Sequence, residues 1–274
     1  MQLKHRCFQK SAKILAEVGA VHTGKSRAYG YRDNGADVLA VAHVDTVQTA
    51  RTWDTATVDN LHMVFNPQLD DRLGVYAILD HLPRLGIAVD VLLTDLEEIA
   101  QSTASDFTTA KEYNWLAEFD RCGSDAVLYD YQDIDWEDCV SEHFKVGMGS
   151  YSDICNLEHL GVKALNVGIG YHNEHGPFTY GVLREYAAQM QRFCAFYAAN
   201  HGTKYPHEPL PDLYNWGSSW RAGTYYDHDP AELVEYAFCP GCNEGLWVDD
   251  LIDTKHALAC PLCGCEDIAE AFAV

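Results

Sequence analysis

Long apolar runs are missing from this sequence. Nowhere in its 274 residues is there a run near the roughly 18 consecutive apolar residues that a membrane helix needs, so a membrane protein is not expected. The first 20 residues also lack the apolar core and small-residue cleavage site of a secretory signal. They instead predict an amphipathic helix with Ile14, Leu15 and Val18 on one side. We therefore expect a cytoplasmic protein.

Basic residues are scarce. The chain has 19 Lys and Arg against 41 Asp and Glu, a formal net charge of −22. A surface this acidic repels phosphate, which argues against nucleic-acid binding as the main activity. A solvated acidic surface accounts for most of the excess, and a metal site needing carboxylates accounts for part of it. A salt-rich setting is a further source of such acidity.

The ten cysteines are unevenly distributed. Five stand singly, and the other five crowd the last 36 residues, at Cys239, Cys242, Cys260, Cys263 and Cys265. In a chain without a secretory signal, clustered cysteines favour metal binding over disulfides.

Apolar runs alternate with helical patterns over the first 200 residues. Strands are predicted at 36–47, 89–98, 125–131 and 162–170, and helices at 70–86 and 180–200. Near-continuous apolar strands between helices are typical of an α/β fold, with a mixed, mostly parallel sheet covered by helices on both faces.

Three domain-level segments are predicted. Residues 1–200 form a catalytic domain, 201–230 a Pro-, Gly- and aromatic-rich linker that packs on it, and 231–274 a cysteine-rich module.

Four short polar motifs lie at or just beyond the predicted strand ends, where open α/β sheets bind ligands. They are His43-Val44-Asp45, Asp70-Asp71-Arg72-Leu73-Gly74, Asp95-Leu96-Glu97-Glu98 and the loop at 170–176 with His172 and His175. Each alone has an ordinary explanation, such as a strand-end histidine, helix-capping acids or solvated loop acids. Their occurrence together, in this order, is harder to attribute to chance.

The series of His-x-Asp, Asp-Asp-x-x-Gly, Glu-Glu, a later Asp and a late His resembles the di-zinc exopeptidase superfamily. That superfamily includes leucyl aminopeptidases, peptidase T-like tripeptidases and related aminoacylases. The sequence YHNEHG at 171–176 is most similar to the tripeptidase-like branch. The resemblance covers roughly residues 36–200 and implies a fold of the zinc exopeptidase type.

The resemblance implies roles for the first two motifs. His43 would be a ligand of one zinc ion, and Asp45 the catalytic-site carboxylate that orients it. Asp70 would bridge both metal ions, and the peptide bond that follows it is commonly cis in this superfamily.

The remaining ligands and the catalytic base follow from the same resemblance. Glu97 resembles the general base and Glu98 a ligand of the second zinc ion. Asp120, which lies 22 residues after Glu98, would complete the first zinc site. His175 would complete the second, so two zinc ions or other divalent metals are expected as cofactors.

Departures from the superfamily pattern affect the rest of the cleft. Thr179 stands where many relatives have a Glu, and no lid domain of about a hundred residues is inserted between Glu98 and Cys239. An oxyanion-stabilising group must therefore come from elsewhere, and the candidates are Tyr151, Tyr171 and His172. Asp153, in a Ser-Asp pair, is assigned to substrate contact or support of the ligands, with helix capping as the alternative.

The C-terminal cysteines form two Cys-x-x-Cys pairs, Cys239 with Cys242 and Cys260 with Cys263, separated by 17 residues. This spacing predicts a zinc ribbon that holds one structural zinc ion with four thiolates. Cys265 is an alternative to Cys263 as the fourth ligand. The acidic residues around the ribbon favour a protein partner over nucleic acid.

The sequence thus predicts a zinc-dependent hydrolase of peptide or amide bonds, most simply an aminopeptidase or small-peptide exopeptidase. One alternative is an N-acyl amino-acid deacylase using the same metal site. A free acidic residue in the cleft would favour the peptidase, because it can receive a substrate ammonium group. The other alternative is a non-enzymatic interaction protein with the ribbon as its docking module, against which the intact Glu97 argues.

Overall fold

The computed structural model describes residues 2–50 and 52–209, together with four short strands in the C-terminal part of the chain. The chain divides into two compact units, Met1–Ser219 and Trp220–Val274. Among the described residues, no helix has both the length and the apolarity needed to cross a bilayer.

Five α-helices and twelve strands make up the described part of the first unit. The helices are α1 (Gln2–Phe8), α2 (Ser11–Val18), α3 (Leu69–Tyr76), α4 (Ile134–Ser141) and α5 (Leu183–Asn200). The first six strands are β1 (Ala20–Gly24), β2 (Arg27–Arg32), β3 (Val38–His43), β4 (Asp54–Val58), β5 (Leu61–Phe65) and β6 (Asp90–Thr94). The other six are β7 (Trp115–Arg121), β8 (Asp125–Val127), β9 (Lys145–Gly147), β10 (Ala164–Gly168), β11 (Tyr171–His172) and β12 (Tyr180–Val182).

Eight of these strands form one mixed sheet in the order β1-β2-β6-β3-β7-β10-β8-β9. Its centre is parallel, because β6, β3, β7 and β10 run in the same direction. A separate four-stranded sheet has the order β11-β12-β5-β4. The predicted α/β fold with a mixed, mostly parallel sheet and helices is therefore confirmed.

Strands β3, β6 and β10 are buried along their whole length, as their apolar runs predict. Strand β7 was not predicted, although it lies between β3 and β10 at the centre of the sheet. Its aromatic residues Trp115 and Phe119 pack edge-on against Phe193 and Phe196 of α5. Acidic residues between the apolar positions of β7 hide the strand in the sequence.

The two predicted helices are less regular than expected. The segment predicted as a helix at 70–86 is α-helical only to Tyr76, then continues as a π-helical turn and a short 3₁₀ helix that ends at Leu85. Pro83 and Gly86 account for its end, since Pro lacks an amide hydrogen and Gly86 is left-handed at φ 74°. The segment predicted as a helix at 180–200 begins with strand β12, and α5 starts only at Leu183.

The N-terminal segment forms two short helices, α1 and α2, instead of one. Ile14, Leu15 and Val18 of α2 are buried on one side, as predicted. Beyond α5, the chain returns to the sheet, where Pro206 forms a bridge with Val162.

The second unit contains two antiparallel strand pairs. Strand β13 (Tyr236–Phe238) pairs with β14 (Gly245–Trp247), and β15 (Ile252–Asp253) pairs with β16 (Leu258–Ala259). The cysteines of the predicted zinc ribbon, Cys239, Cys242, Cys260, Cys263 and Cys265, lie outside the described residues.

Candidate active site

The candidate site forms at the carboxyl ends of three adjacent parallel strands. His43 is the last residue of β3, Glu97 and Glu98 follow β6, and Asp120 is near the end of β7. Because β3 pairs with both β6 and β7, these side chains meet at one edge of the sheet.

Two acidic residues surround the His43 ring nitrogen Nε2. The distance from this nitrogen to Asp120 Oδ1 is 3.1 Å, and the distance to Asp70 Oδ1 is 3.3 Å. His43 is almost fully buried. Burial lowers the pKa of its imidazole, but the charge of Asp120 and hydrogen bonds to the surrounding carboxylates raise that pKa well above the usual range.

The second oxygen of Asp70 faces another histidine. Asp70 Oδ2 lies 3.4 Å from His175 Nε2, which in turn is 3.1 Å from Glu98 Oε2. A hydrogen bond with Glu98 is the main reason that the pKa of His175 rises to about 9. The structure therefore brings together the five metal ligands predicted for the catalytic site, with Asp70 between two imidazole–carboxylate groups.

Asp45 connects His43 to the loop that follows β6. Its Oδ1 lies 3.4 Å from His43 Nδ1, and its two carboxylate oxygens accept the backbone N–H groups of Glu97 and Glu98 at 3.3 and 3.1 Å. The loop turns at Leu96, a non-glycine residue with φ of 64°. Asp45 thus fixes both the imidazole and the backbone that carries Glu97 and Glu98.

The peptide bond between Asp70 and Asp71 is cis, as expected from the superfamily resemblance. Asp71 is fully buried and its carboxylate accepts the N–H groups of His43 at 3.3 Å and Gly74 at 2.9 Å. No role was predicted for Asp71. Its place beside Asp70 in the Asp-Asp pair is the only signal for it in the sequence.

The loop carrying His175 is held by Thr179, the residue that departs from the superfamily pattern. The buried Thr179 hydroxyl lies 2.7 Å from the carbonyl oxygen of Asn173 and 2.8 Å from that of Gly176, and it shares its single proton between them. Asn173 and His175 are both left-handed, with φ of 56° and 59°. Thr179 therefore closes a tight turn that presents His175 to Asp70.

Glu97 lies beside the histidine of the first group, with Oε2 3.9 Å from His43 Nε2. Burial raises the pKa of Glu97 to about 9, and the charges of neighbouring carboxylates add to this rise, although the charge of His43 lowers the pKa. Burial likewise raises the pKa of Asp70 to about 6. So many buried acids in contact require a positive charge to compensate them.

Asp153 is buried beneath the cleft. Its Oδ2 accepts a hydrogen bond from Thr94, while its Oδ1 has no hydrogen-bond partner among the described residues. Its backbone N–H donates to Glu118, a buried acid that also accepts the Ser152 hydroxyl. Glu118 was not predicted, although an acidic residue within an apolar strand is a signal for a buried polar group.

The three candidates for an oxyanion-stabilising group are placed differently. Tyr151 lines the cleft, and its hydroxyl accepts Asn156 Nδ2 at 2.9 Å. Tyr171 is buried at the cleft wall and donates to the backbone oxygen of Asp120. His172 instead pairs with Glu185 at 2.7 Å and does not line the cleft.

The cleft itself has a volume of about 280 Å³. Acidic side chains dominate its polar lining, and Arg121 is its one Lys or Arg residue among the described part of the chain. The acids are Asp70, Glu97, Glu98, Asp120 and Glu174.

The donor set fits divalent metal ions. Two sets of three side chains could each hold an ion, because the ligand atoms within each set all lie within 4.8 Å of one another. One set is His43, Asp70 and Glu98, and the other is His43, Asp71 and Asp120. Imidazole nitrogens combined with carboxylate oxygens are common zinc ligands and also suit other divalent transition metals. A cation here would provide the charge that the buried carboxylates lack.

Solved structures with a similar fold include three peptidases. A tripeptidase from Staphylococcus aureus superimposes with a TM-score of 0.54 at 7% identity, covering 73% of this chain and 97% of the other. Aminopeptidase PepT from Bacillus cereus gives 0.51 at 9% identity, covering 71% and 96%. Aminopeptidase APDkam598 from the archaeon Desulfurococcus kamchatkensis gives 0.51 at 12% identity, covering 74% and 94%.

These similarities show that the chain has a fold of the zinc exopeptidase type. No protein-family model matches the sequence, and neither does any curated protein. The fold alone does not define the activity, which depends on the side chains of the site.

Proposed function

We propose that this protein is a metal-dependent exopeptidase that removes N-terminal residues from short peptides. The observation that carries the proposal is the position of Asp70, whose two oxygens lie 3.3 Å from His43 and 3.4 Å from His175. A carboxylate shared in this way is suited to bridge two cations. The similar folds of a tripeptidase and two aminopeptidases support the proposal.

His43 and Asp120 would hold one ion, Glu98 and His175 the other, and Asp70 both. Asp71, which belongs to one of the two ligand groups, is a further candidate. Bound divalent ions supply Lewis acidity and lower the pKa of a coordinated water from about 15.7 towards about 7.

Glu97 is the proposed general base. It takes a proton from the attacking water on one carboxylate oxygen and passes it to the leaving amine. Asp45 keeps Glu97 in place through the loop amides and keeps the His43 ring oriented. Tyr151, at the cleft wall, is the remaining candidate among those predicted to stabilise the oxyanion, because the hydroxyl of Tyr171 is engaged elsewhere.

Glu174 favours a peptidase over a deacylase. It lines the cleft next to His175 and has no Lys or Arg partner among the described residues, its carboxylate accepting only the Cys122 thiol at 3.4 Å. Such an acid can receive the ammonium group of an unblocked peptide. An N-acylated amino acid has no ammonium group to offer it.

The test compares Glu97→Gln with the parent protein, both loaded with zinc. We expect Glu97→Gln to lower the kcat for amino-acid anilides by at least about 10²–10⁴-fold, because the base is removed, while the bound metal is unchanged. The matched control is Glu112→Gln, at a carboxylate that is 82% exposed, and it should retain full activity.

Three outcomes would contradict the proposal. Full activity of Glu97→Gln would exclude the base, and turnover of N-acyl amino acids without turnover of unblocked peptides would favour the deacylase. A zinc-loaded protein without either activity would favour the interaction protein.

A separate structural zinc ion is proposed for the C-terminal cysteines, on their spacing alone. Its four thiolates would leave no open position for substrate, so the role would be structural, with docking of a protein partner as its consequence.

A further inference from the structure

A second cavity adjoins the acidic cleft, and basic side chains outnumber acidic ones in its lining by three to two. Its volume is about 720 Å³, and Arg121 and Cys122 line both cavities. Besides Arg121, the second cavity is lined by Lys145 of β9 and Arg192 of α5. We call it the basic cavity.

The cations of the basic cavity are not all neutralised by the protein. Arg121 is paired with Asp125, at N–O distances of 3.1 and 3.2 Å. Lys145 and Arg192 make no ion pair among the described residues, and the remaining acid in the lining is Glu142. The basic excess in this lining contrasts with the whole chain, which has 41 acidic and 19 basic residues.

The charges of the two cavities are complementary to the charges at the two ends of a short peptide. The acidic cleft holds Glu174 and the candidate ligands, so it attracts an ammonium group and repels free carboxylates that are not bound to metal. The basic cavity attracts a carboxylate. A peptide with its N-terminal residue at the candidate metal site would cross the boundary at Arg121 and Cys122.

We propose that the basic cavity binds a carboxylate of the substrate through Lys145 and Arg192, and so selects short anionic peptides. This inference rests on the proposed exopeptidase function. The chain terminus and an acidic side chain carry the same group, so the experiment distinguishes these two sources.

The test uses three peptides: Ala-Ala-Ala, its C-terminal amide, and Ala-Ala-Asp amide. We expect kcat/KM for the free acid to exceed that for Ala-Ala-Ala amide by about tenfold, mainly through KM, since two exposed charge pairs each contribute modestly. The advantage should shrink in 0.5 M salt, where the Debye length is only about 4 Å. If Ala-Ala-Asp amide equals the free acid, any nearby carboxylate suffices, whereas if it equals the plain amide, the terminus is the group recognised.

The variant Lys145→Gln/Arg192→Gln should reduce the preference for the carboxylate to about twofold or less, because kcat/KM should fall more for the free acid than for the amide. The matched control is Arg184→Gln, at an exposed arginine of the same helix α5 that lines neither cavity, and it should keep the full preference. An unchanged preference in the double variant would overturn the proposal.

Binding provides a readout that does not need turnover. Calorimetric titration of metal-loaded Glu97→Gln with the free acid and with Ala-Ala-Ala amide should give the same roughly tenfold ratio of Kd values, lost when Lys145 and Arg192 are replaced. Equal Kd values would refute the basic cavity as a carboxylate site. If the parent protein hydrolyses no peptide but the variant still shows the roughly tenfold Kd ratio, the proposed function is wrong and the carboxylate site is retained.

Discussion

At the scale of single residues, the acids around His43 should make the protein sensitive to pH when it is free of metal. The pKa of Glu97 is raised to about 9 and that of Asp70 to about 6, so the folded chain keeps protons that the unfolded chain releases near pH 4. His175, with its pKa raised to about 9, also holds a proton that the unfolded chain loses near pH 6.5. These three groups therefore favour the metal-free fold most at low pH. The contribution of Asp70 is lost as pH rises from about 4 to about 6, that of Glu97 from about 4 to about 9, and that of His175 from about 6.5 to about 9.

Metal binding should reverse this trend, because ligands must lose their protons to bind a cation. We expect the rise in Tm caused by Mn²⁺, which thiolates bind poorly, to be larger at pH 8.5 than at pH 6. Differential scanning fluorimetry with and without Mn²⁺ measures this rise in Tm at both pH values. In Glu97→Gln the metal-free decline should be smaller, and a metal effect independent of pH would contradict this explanation.

Part of the site is predictable because His43, Glu98 and His175 follow predicted apolar strands. Asp70 belongs to a motif at a predicted helix start, and Asp120 is predicted only by the superfamily resemblance. The structure places the five side chains together. Their catalytic and ligand roles remain predictions.

Other residues of the site could not be found in this way. Asp71 and Glu118 are fully buried beside the site, and their burial depends on how distant segments of the chain pack. The pairing of His172 with Glu185 likewise depends on where α5 lies, so a histidine predicted to reach the cleft turns to a helix instead.

At the scale of elements, helix α3 and strand β7 approach closely at Gly74. A Cβ atom at this position would collide with the backbone oxygen of Phe119 and with the carboxylate of Asp71. The glycine therefore allows the helix that carries Asp70 to lie against the strand that carries Asp120. Neither strand β7 nor this contact was evident from the periodicity of the sequence.

We predict that Gly74→Ala lowers the free energy of unfolding by about 1–3 kcal/mol, because the backbone must move to accept the methyl group. It should also weaken metal binding, since Asp70 and Asp120 move apart. Urea denaturation and metal titration measure the two effects. The control is Gly202→Ala, where nothing lies within 4 Å of the added atom, and a loss there as large as at Gly74 would show that the contact with β7 is not the cause.

At the scale of the whole molecule, the net charge of −22 implies repulsion across the surface. Raising KCl from 0.1 to 1 M shortens the Debye length from about 10 to about 3 Å and should raise the free energy of unfolding by on the order of 1 kcal/mol or more. The triple variant Asp54→Asn/Asp130→Asn/Asp138→Asn removes three exposed charges that make no ion pair among the described residues. It should be more stable than the parent at 0.1 M KCl and respond less to salt, and an equal response would mean that surface repulsion is not the source.

The two metal-binding regions proposed for the chain differ in chemistry, and that difference makes them separable. Thiolates hold zinc more tightly than imidazole and carboxylate groups with open positions do, so a mild chelator should remove two zinc ions and abolish activity before the third is lost. Cys239→Ser/Cys260→Ser should reduce the zinc content from about three ions to about two while hydrolysis persists, because the cleft ligands come from another unit of the chain. Cys194→Ser, at a single cysteine in α5, is the control and should lose no zinc. If the double variant kept all its zinc, the cysteine pairs would not form a metal site, and the cleft would remain the only metal centre proposed for this protein.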